Sequence, residues 1–256
     1  GMDQGFALFA ICLGLIFISI LYSSVGHGGA SGYLALLSLT AYGEMQSAWL
    51  KQHVWVLNLV VAGIAFFHYS KAGHYSSSKT LPFLIASIPF AFLGGYLRVD
   101  GAIYDTLLSI TLLYAAIRLL RVDKNINYLE VKDPEKTQAL AFGGVIGLFS
   151  GIIGVGGGIF LSPLLLLKRW ATPKTAAATA ALFIWANSAA GLLGAATSNQ
   201  LVLETSTLIP FVFAVLIGGF LGSRYGSLHA HQSTIRNLLV TVLLLASIKR
   251  ILELIF

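Results

Sequence analysis

The chain has 256 residues, of which 57% are hydrophobic and only 10% are charged, and its formal net charge is +6. Soluble domains carry about 25% charged residues, so the composition excludes an ordinary water-facing surface. Most residues lie in apolar runs of about 17–25, the length of a helix that crosses a bilayer. The sequence therefore predicts an all-α polytopic membrane protein, and we interpret its positive charge as a topology signal rather than as a nucleic-acid patch.

In chain order, apolar segments are predicted at 5–22, 29–40, 48–68, 81–97, 102–120, 138–153, 159–167, 175–196, 206–222 and 236–256. The first segment lacks a basic leader and a convincing cleavage site, so we expect it to be retained. A polar stretch with charges of both signs, 122–137, predicts a charged cytoplasmic linker. It divides one integral membrane domain into a first half, 1–121, and a second half, 138–256.

The two halves resemble each other. In the first pair of blocks, "YSSVGHGGASGYLALL" (22–37) matches "SGIIGVGGGIFLSPLL" (150–165), and "VWVLN" (54–58) matches "LFIWAN" (182–187). In the second pair, "FLGGYL" (92–97) matches "LIGGFL" (216–221), and "LLYAAIRLL" (112–120) matches "LLLASIKRI" (243–251). Four blocks in the same order indicate an internal repeat, which is a common architecture of secondary transporters.

The distribution of Lys and Arg discriminates between parallel and inverted repeats. If each glycine-broken segment crossed the membrane once, the sixteen residues would divide seven against nine, without bias. If each segment is a hairpin that returns to its own side, twelve lie on one side and only Lys51, Arg98, Lys249 and Arg250 on the other. The positive-inside rule expects the second division. The sequence therefore favours inverted-topology repeats, each with one glycine-broken re-entrant helical hairpin and three transmembrane helices, and places both termini outside.

The glycine breaks predict the binding site. Irregular backbone at membrane depth survives only where protein or a cavity surrounds it, and two such breaks at matching places point to a transporter's substrate site. Each break precedes a short half-helix, whose first N–H groups and positive dipole end suit an anion near the midplane. The candidate substrate-binding residues are Ser23, Ser24, Gly26, His27, Gly28, Gly29, Asn58, Ser150, Gly154, Gly156, Gly157 and Asn187.

Three of these candidates have a structural alternative. His27 lies deep in an apolar region, where ionisable residues are functional by default; its near-neutral pKa would allow it to bind an anion when protonated. The alternative is a neutral, hydrogen-bonded histidine. Asn58 and Asn187 either bind substrate or only link the hairpin tips to the neighbouring helix, since a buried amide needs partners.

Other polar and glycine positions favour structural interpretations. The spacing of small residues is also typical of close helix packing, which is the preferred interpretation for Gly94, Gly95, Gly218 and Gly219. Packing is also the alternative for the clusters 26–32 and 154–158, where a site is preferred because the glycine density is too high for a stable helix. At the start of a predicted span, the cluster 51–53 (Lys, Gln, His) is expected to snorkel to the membrane interface. The alternative is a basic gate on the outer side of the pathway.

Two segments carry a family resemblance. "GLIFISILYSSVGHGGASGYL" (14–34) and "GGVIGLFSGIIGVGGGIFLSPLLLL" (143–167), each opening one half, resemble the sulfite exporter TauE/SafE family over nearly the whole chain. The resemblance implies a multi-pass protein of the cytoplasmic membrane that exports sulfur-containing anions such as sulfite or organosulfonates. It also implies secondary transport coupled to an ion gradient.

We therefore expect a secondary transporter for sulfite, thiosulfate or an organosulfonate. Its partners would be the small anion, the lipid bilayer and a coupling ion, either a proton or sodium; an oligomer stays open. The alternative is an uncoupled anion channel with the same site. An enzyme is disfavoured because His27 has no acidic partner within the predicted spans, and no cofactor or metal site is expected. A cation transporter is disfavoured because such sites usually contain buried carboxylates.

Overall fold

A computed structural model describes residues 2–121, 130–228 and 233–256, with side chains described from 244 onward in the last range. These residues form ten α-helices and one 3-10 turn, Ala41–Glu44, and contain no strand. The helices are α1 Met2–Ser23, α2 Ala30–Ser38, α3 Ser47–Lys71, α4 Ser77–Tyr96, α5 Gly101–Leu120, α6 Lys136–Ile153, α7 Gly158–Leu167, α8 Pro173–Thr197, α9 Thr205–Leu228 and α10 Ser233–Ile255. The predicted all-α class is confirmed.

Seven helices of the described part are long and apolar enough to cross a membrane: α1, α3, α4, α5, α6, α8 and α9. This set confirms a polytopic membrane protein. It includes α1 and α6, which the sequence interpretation treated as first arms of hairpins; α1 alone, with 22 residues, spans about 33 Å. Of the predicted linker, residues 122–129 lie outside the described part of the chain.

One end of the bundle, which we call the linker end, carries residues 130–135. The ammonium of Lys79 near the start of α4 lies 3.1 Å from the Asp133 carboxylate. The Lys132 N–H donates to the carbonyl oxygen of Arg169, just after α7, at 3.0 Å. The starts of α4 and α6 and the end of α7 therefore share this end.

The opposite end collects other helix termini. The Ser47 hydroxyl at the start of α3 donates to the Asp100 carboxylate, just before α5, at 2.7 Å. The Lys249 ammonium in the last turns of α10 donates to the carbonyl oxygen of Ser38, the last residue of α2, at 2.6 Å. The start of α3 therefore lies beside the start of α5, and the end of α2 lies beside the end of α10.

The chain reverses direction at both glycine breaks. Helix α1 runs alongside α9 in the same direction, since Cys12 pairs with Pro210 and, further along, Ser23 with Gly218. Helix α9 ends beside the first turn of α8 at the linker end, so α1 approaches the linker end while α2 returns to the opposite end. In the second half, α6 begins at the linker end and α7 ends there.

The halves exchange packing partners. Helix α1 of the first half packs on α9 of the second, and α6 of the second packs on α4 of the first, while α3 crosses α8 and α5 lies against α10. Glycines make these contacts close: a Cβ on Gly95 would overlap the Gly191 backbone, and one on Gly94 would lie 2.6 Å from the carbonyl oxygen of Leu148. A Cβ on Gly218 would overlap α1. The packing interpretation of these glycines is confirmed.

Large apolar side chains cover the outside of the bundle. On α1, Phe6 is 74% exposed and Phe9 61% exposed, and on α9 Phe213 is 65% exposed. Soluble monomers rarely expose many large apolar side chains on one contiguous surface. The surface suits hydrocarbon, as expected for a multi-pass membrane protein.

Arg250 connects three helices at the opposite end. Its Nη1 lies 2.7 Å from the Asp105 carboxylate and its Nε donates to the Ser38 hydroxyl at 2.8 Å, while the side chain is only 4% exposed. Asp105→Asn leaves this buried charge without its counterion, so we expect the free energy of unfolding to fall by about 3 kcal/mol. Thermal unfolding in detergent measures the loss.

The half-exposed pair of Lys249 and Glu253, at 3.8 Å, supplies the control. Glu253→Gln is expected to change the free energy of unfolding by less than about 1 kcal/mol, because exposed ion pairs contribute little. Equal melting temperatures for the Asp105 and Glu253 variants would contradict the assigned role of the buried pair.

Candidate functional site

The two glycine breaks meet where α3 crosses α8. A Cβ on Gly28 of the first break would overlap the carboxamide of Asn58 on α3. A Cβ on Gly156 of the second break would lie 2.8 Å from Nδ2 of the same asparagine and 2.9 Å from the side chain of Ile184 on α8. Segments that are far apart in the sequence therefore converge on Asn58.

A helix begins at each break. Gly29 precedes α2 with φ 101° and Gly157 precedes α7 with φ 88°, a left-handed backbone that favours glycine. The first helical hydrogen bond of α2 runs from the Tyr33 N–H to the Gly29 carbonyl, and in α7 the Gly157 carbonyl accepts from both the Phe160 and the Leu161 N–H. The earlier N–H groups of each helix have no helical acceptor, so two positive dipole ends lie at the convergence of the breaks.

His27 connects the first break to the half-helix of the second. The ring Nε2 lies 2.9 Å from the hydroxyl of Ser162 on α7. The backbone N–H of His27 donates to the Tyr22 carbonyl at 2.8 Å, and the imidazole stacks on the Tyr22 ring. Sequence reasoning missed Ser162; the available signal was a hydroxyl directly before Pro163 in an apolar half-helix. The Ser162 bond suits both a structural and an anion-binding histidine.

The two predicted asparagines are fully buried and only partly hydrogen-bonded. Asn58 Nδ2 donates to the Ser188 hydroxyl at 3.1 Å, and Asn187 Nδ2 donates to the Gly156 carbonyl at 3.4 Å. The Oδ1 atom of each has no partner among the described residues, although buried polar atoms are normally satisfied. Because a hydroxyl both donates and accepts, Asn58 can rotate its carboxamide and keep Ser188. It can thus offer either N–H or C=O to a ligand.

Three predicted residues lie away from this convergence. Ser23 donates to its own helix and to the Gly218 carbonyl of α9, and Ser24 donates to a carbonyl one turn earlier in α1. A Cβ on Gly26 would overlap the backbone of Ala177 at the start of α8. The structure does not bring these residues to Asn58; their contacts are helix-packing contacts.

Of the remaining predicted residues of the second break, Gly154 lies beside Lys51. A Cβ on Gly154, where φ is 96°, would lie 2.9 Å from the Lys51 side chain. Ser150, one turn earlier at the end of α6, is fully buried, and its hydroxyl has no partner among the described residues. The second break thus extends from Asn58 towards the start of α3.

The expected snorkelling of 51–53 is wrong. Lys51 is 3% exposed, and Gln52 and His53 are fully buried. Gln52 Nε2 donates to the Gln200 carbonyl at 2.6 Å. His53 Nε2 accepts from the Glu204 N–H at 3.0 Å, so its Nδ1 is the protonated nitrogen that donates one turn back in α3. The α8–α9 connection covers the start of α3 and buries these side chains.

A multi-pass helical bundle with glycine-rich, irregular backbone buried among its helices is typical of membrane transporters. The family model of the sulfite exporter TauE/SafE matches residues 10–250, and the chain belongs to this family. The resemblance that the two glycine motifs indicated is confirmed.

Two curated relatives support the same class. The chain is 34% identical over 246 residues to the probable membrane transporter protein y4hK of Sinorhizobium fredii, covering 94% of this chain and 97% of the relative. It is 27% identical over 139 residues to the probable membrane transporter protein MJ0441 of Methanocaldococcus jannaschii, covering 53% and 51%. No solved structure matches the chain.

Proposed function

We propose that the protein is a secondary transporter that exports a small sulfur-containing anion, of the sulfite, thiosulfate or organosulfonate class, across the cytoplasmic membrane. The observation that carries the proposal is the convergence of two helix N-termini, those of α2 and α7, on Asn58. Membership of the sulfite exporter family supports the sulfur chemistry of the substrate.

The membrane arrangement belongs to the proposal. The pairs α1–α2 and α6–α7 are re-entrant hairpins, and the halves are inverted repeats with the linker end in the cytoplasm. Support comes from the return of α2 to the opposite end and of α7 to the linker end. The reciprocal packing of α1 on α9 and α6 on α4 also favours two related halves.

At the site, backbone N–H groups at Gly28–Gly29 and Gly156–Gly157 hold the anion. Helix N-termini bind anions because unpaired N–H groups and the dipole act together. Asn58 contributes its rotatable carboxamide, and His27 with Ser162 supplies donors from the adjacent side. Alternating access comes from one repeat moving against the other.

Reconstitution in proteoliposomes tests the function. Vesicles loaded with sulfite, thiosulfate, sulfoacetate, sulfate or chloride are diluted into anion-free buffer, and efflux is followed with and without an imposed proton or sodium gradient. We expect saturable efflux of at least one sulfur anion, accelerated by one gradient. Efflux at the same rate with and without either gradient would favour the uncoupled channel. If folded protein carries none of the sulfur anions, the proposed function is refuted.

Removing the Asn58 carboxamide tests whether the anion binds at the convergence of the two breaks. Asn58→Leu keeps the approximate volume but offers no hydrogen bond to the anion, so we expect flux to fall at least tenfold, the loss typical of one or two buried hydrogen bonds. Ser188→Ala removes only the partner of Asn58, and we expect a smaller loss. Wild-type flux in the Asn58 variant would place the anion elsewhere.

A further inference from the structure

One face of α3 carries three buried polar groups with incomplete partners. Lys51, Trp55 and Asn58 stand at spacings of four and three residues, which places them on one helical face. Their exposures are 3%, 0% and 0%. The Lys51 ammonium lies 5.4 Å from the centroid of the Trp55 ring. Among the described residues the ammonium forms no ion pair, and the Trp55 Nε1 is buried without an acceptor.

The neighbouring polar residues show that this lack of partners is selective. Gln52 and His53 are equally buried, yet both ends of each side chain are hydrogen-bonded. Asp100 on the same end of the bundle accepts from Ser47, and it acts on Lys51 only as a nearby charge, without an ion pair between the two. A buried charge without a directly paired counterion is costly, and ionisable groups inside a membrane mark transport pathways.

The face leads to the glycine breaks. Gly154 lies against Lys51 and Gly156 lies against Asn58, so the second break follows α3 from its first turns to the convergence point. The buried, unpartnered hydroxyl of Ser150 lies one turn before Gly154. Donors without acceptors thus extend from the breaks towards the opposite end of the bundle.

We infer that Lys51 and Trp55 form an anion-binding position of the transport pathway, next to the glycine breaks on the side of the opposite end. The inference rests on the proposed function and adds to it. The ligand class is a small oxyanion with at least two acceptor oxygens. One oxygen accepts a charge-assisted hydrogen bond from the ammonium, and another accepts from the indole N–H.

The position is one-sided. If the match of Asn58 with Asn187 is extended towards the start of each helix, Ala180 and Ile184 stand where the first half has Lys51 and Trp55. Both are buried, and neither offers a donor. A substrate reaching the breaks from the opposite end therefore meets a cation, and a substrate arriving from the linker end meets no equivalent one at the matched positions.

The test compares Lys51→Gln, Lys51→Arg and Trp55→Phe in the same proteoliposomes, with sulfite and thiosulfate as probes. Half-saturating concentration and maximal rate are measured separately for anion presented on each side. We expect Lys51→Gln to raise the half-saturating concentration at least tenfold on one side only. Lys51→Arg should keep it close to the wild-type value, and Trp55→Phe should raise it severalfold. Gln52→Ala is the matched control: it is expected to lower the melting temperature and leave the half-saturating concentration unchanged.

Each outcome decides one point. An unchanged half-saturating concentration in folded Lys51→Gln, with normal wild-type flux, overturns the Lys51 position and leaves the proposed function standing. If wild type carries none of the sulfur anions, both fail. A loss with Lys51→Gln that Lys51→Arg does not restore, together with a lowered melting temperature in both, identifies a structural lysine and overturns the inference. If Lys51→Gln does not fold, Trp55→Phe decides, and a wild-type half-saturating concentration in Trp55→Phe overturns the inference.

Discussion

Gly28→Ala is expected to lower sulfite flux about 100-fold in protein that still folds, since a displacement of about 1 Å in a site can cost that much. The added Cβ would overlap the carboxamide of Asn58, which must then move out of the convergence of the two breaks. The backbone at Gly28 is not left-handed, so alanine adds no conformational strain there. Initial efflux rates, with melting temperature measured in parallel, provide the readout.

Gly63→Ala is the matched control on α3. A Cβ there lies 3.5 Å from the Trp185 ring, an ordinary contact distance, so flux and melting temperature should stay at wild-type values. Wild-type flux in Gly28→Ala would show that the carboxamide of Asn58 is not needed, and would remove the convergence point from the mechanism.

Gly95→Val is expected to destabilise the protein by about 3 kcal/mol or more, the upper range for overpacking. Its Cβ would overlap the backbone of Gly191, where α4 crosses α8, and a backbone cannot rotate away as a side chain can. The yield of monodisperse protein and the melting temperature measure the effect. Gly144→Ala is the control, because its Cβ would meet only the edge of the Phe90 ring, at 3.3 Å. Equal melting temperatures would contradict backbone-limited packing at this crossing.

The helices could be predicted from the sequence because each one is an apolar run that ends at polar residues or glycine. The predicted 29–40 and 159–167 became Ala30–Ser38 and Gly158–Leu167, and the predicted glycine breaks lie before these helices, where the structure has left-handed backbone. Composition and local backbone chemistry decide these features, so no tertiary information was needed. The repeat, its inversion and the substrate site stay predictions.

What the sequence could not provide was burial and hydrogen bonding across the bundle. Lys51 was expected at the interface because it lies at the start of a span, but the α8–α9 connection covers that position. Ser162 and Ser188 were missed because their partners, His27 and Asn58, lie more than one hundred residues away. Ser23 and Ser24 were grouped with the first break by sequence proximity, whereas helical rotation directs them to the packing with α9.

The exchange of partners between the halves sets the order of events during biosynthesis. Ser23 of α1 contacts Gly218 of α9 across 195 residues of sequence, so the serine-bearing face of α1 stays uncovered until α9 has been synthesised. Likewise, the face of α4 that packs on α6 stays uncovered until α6 has been synthesised. A ribosome that stalls after the first half leaves both helices exposed to lipid and quality-control proteases. Fragments 1–121 and 130–256 should therefore accumulate only when they are co-expressed.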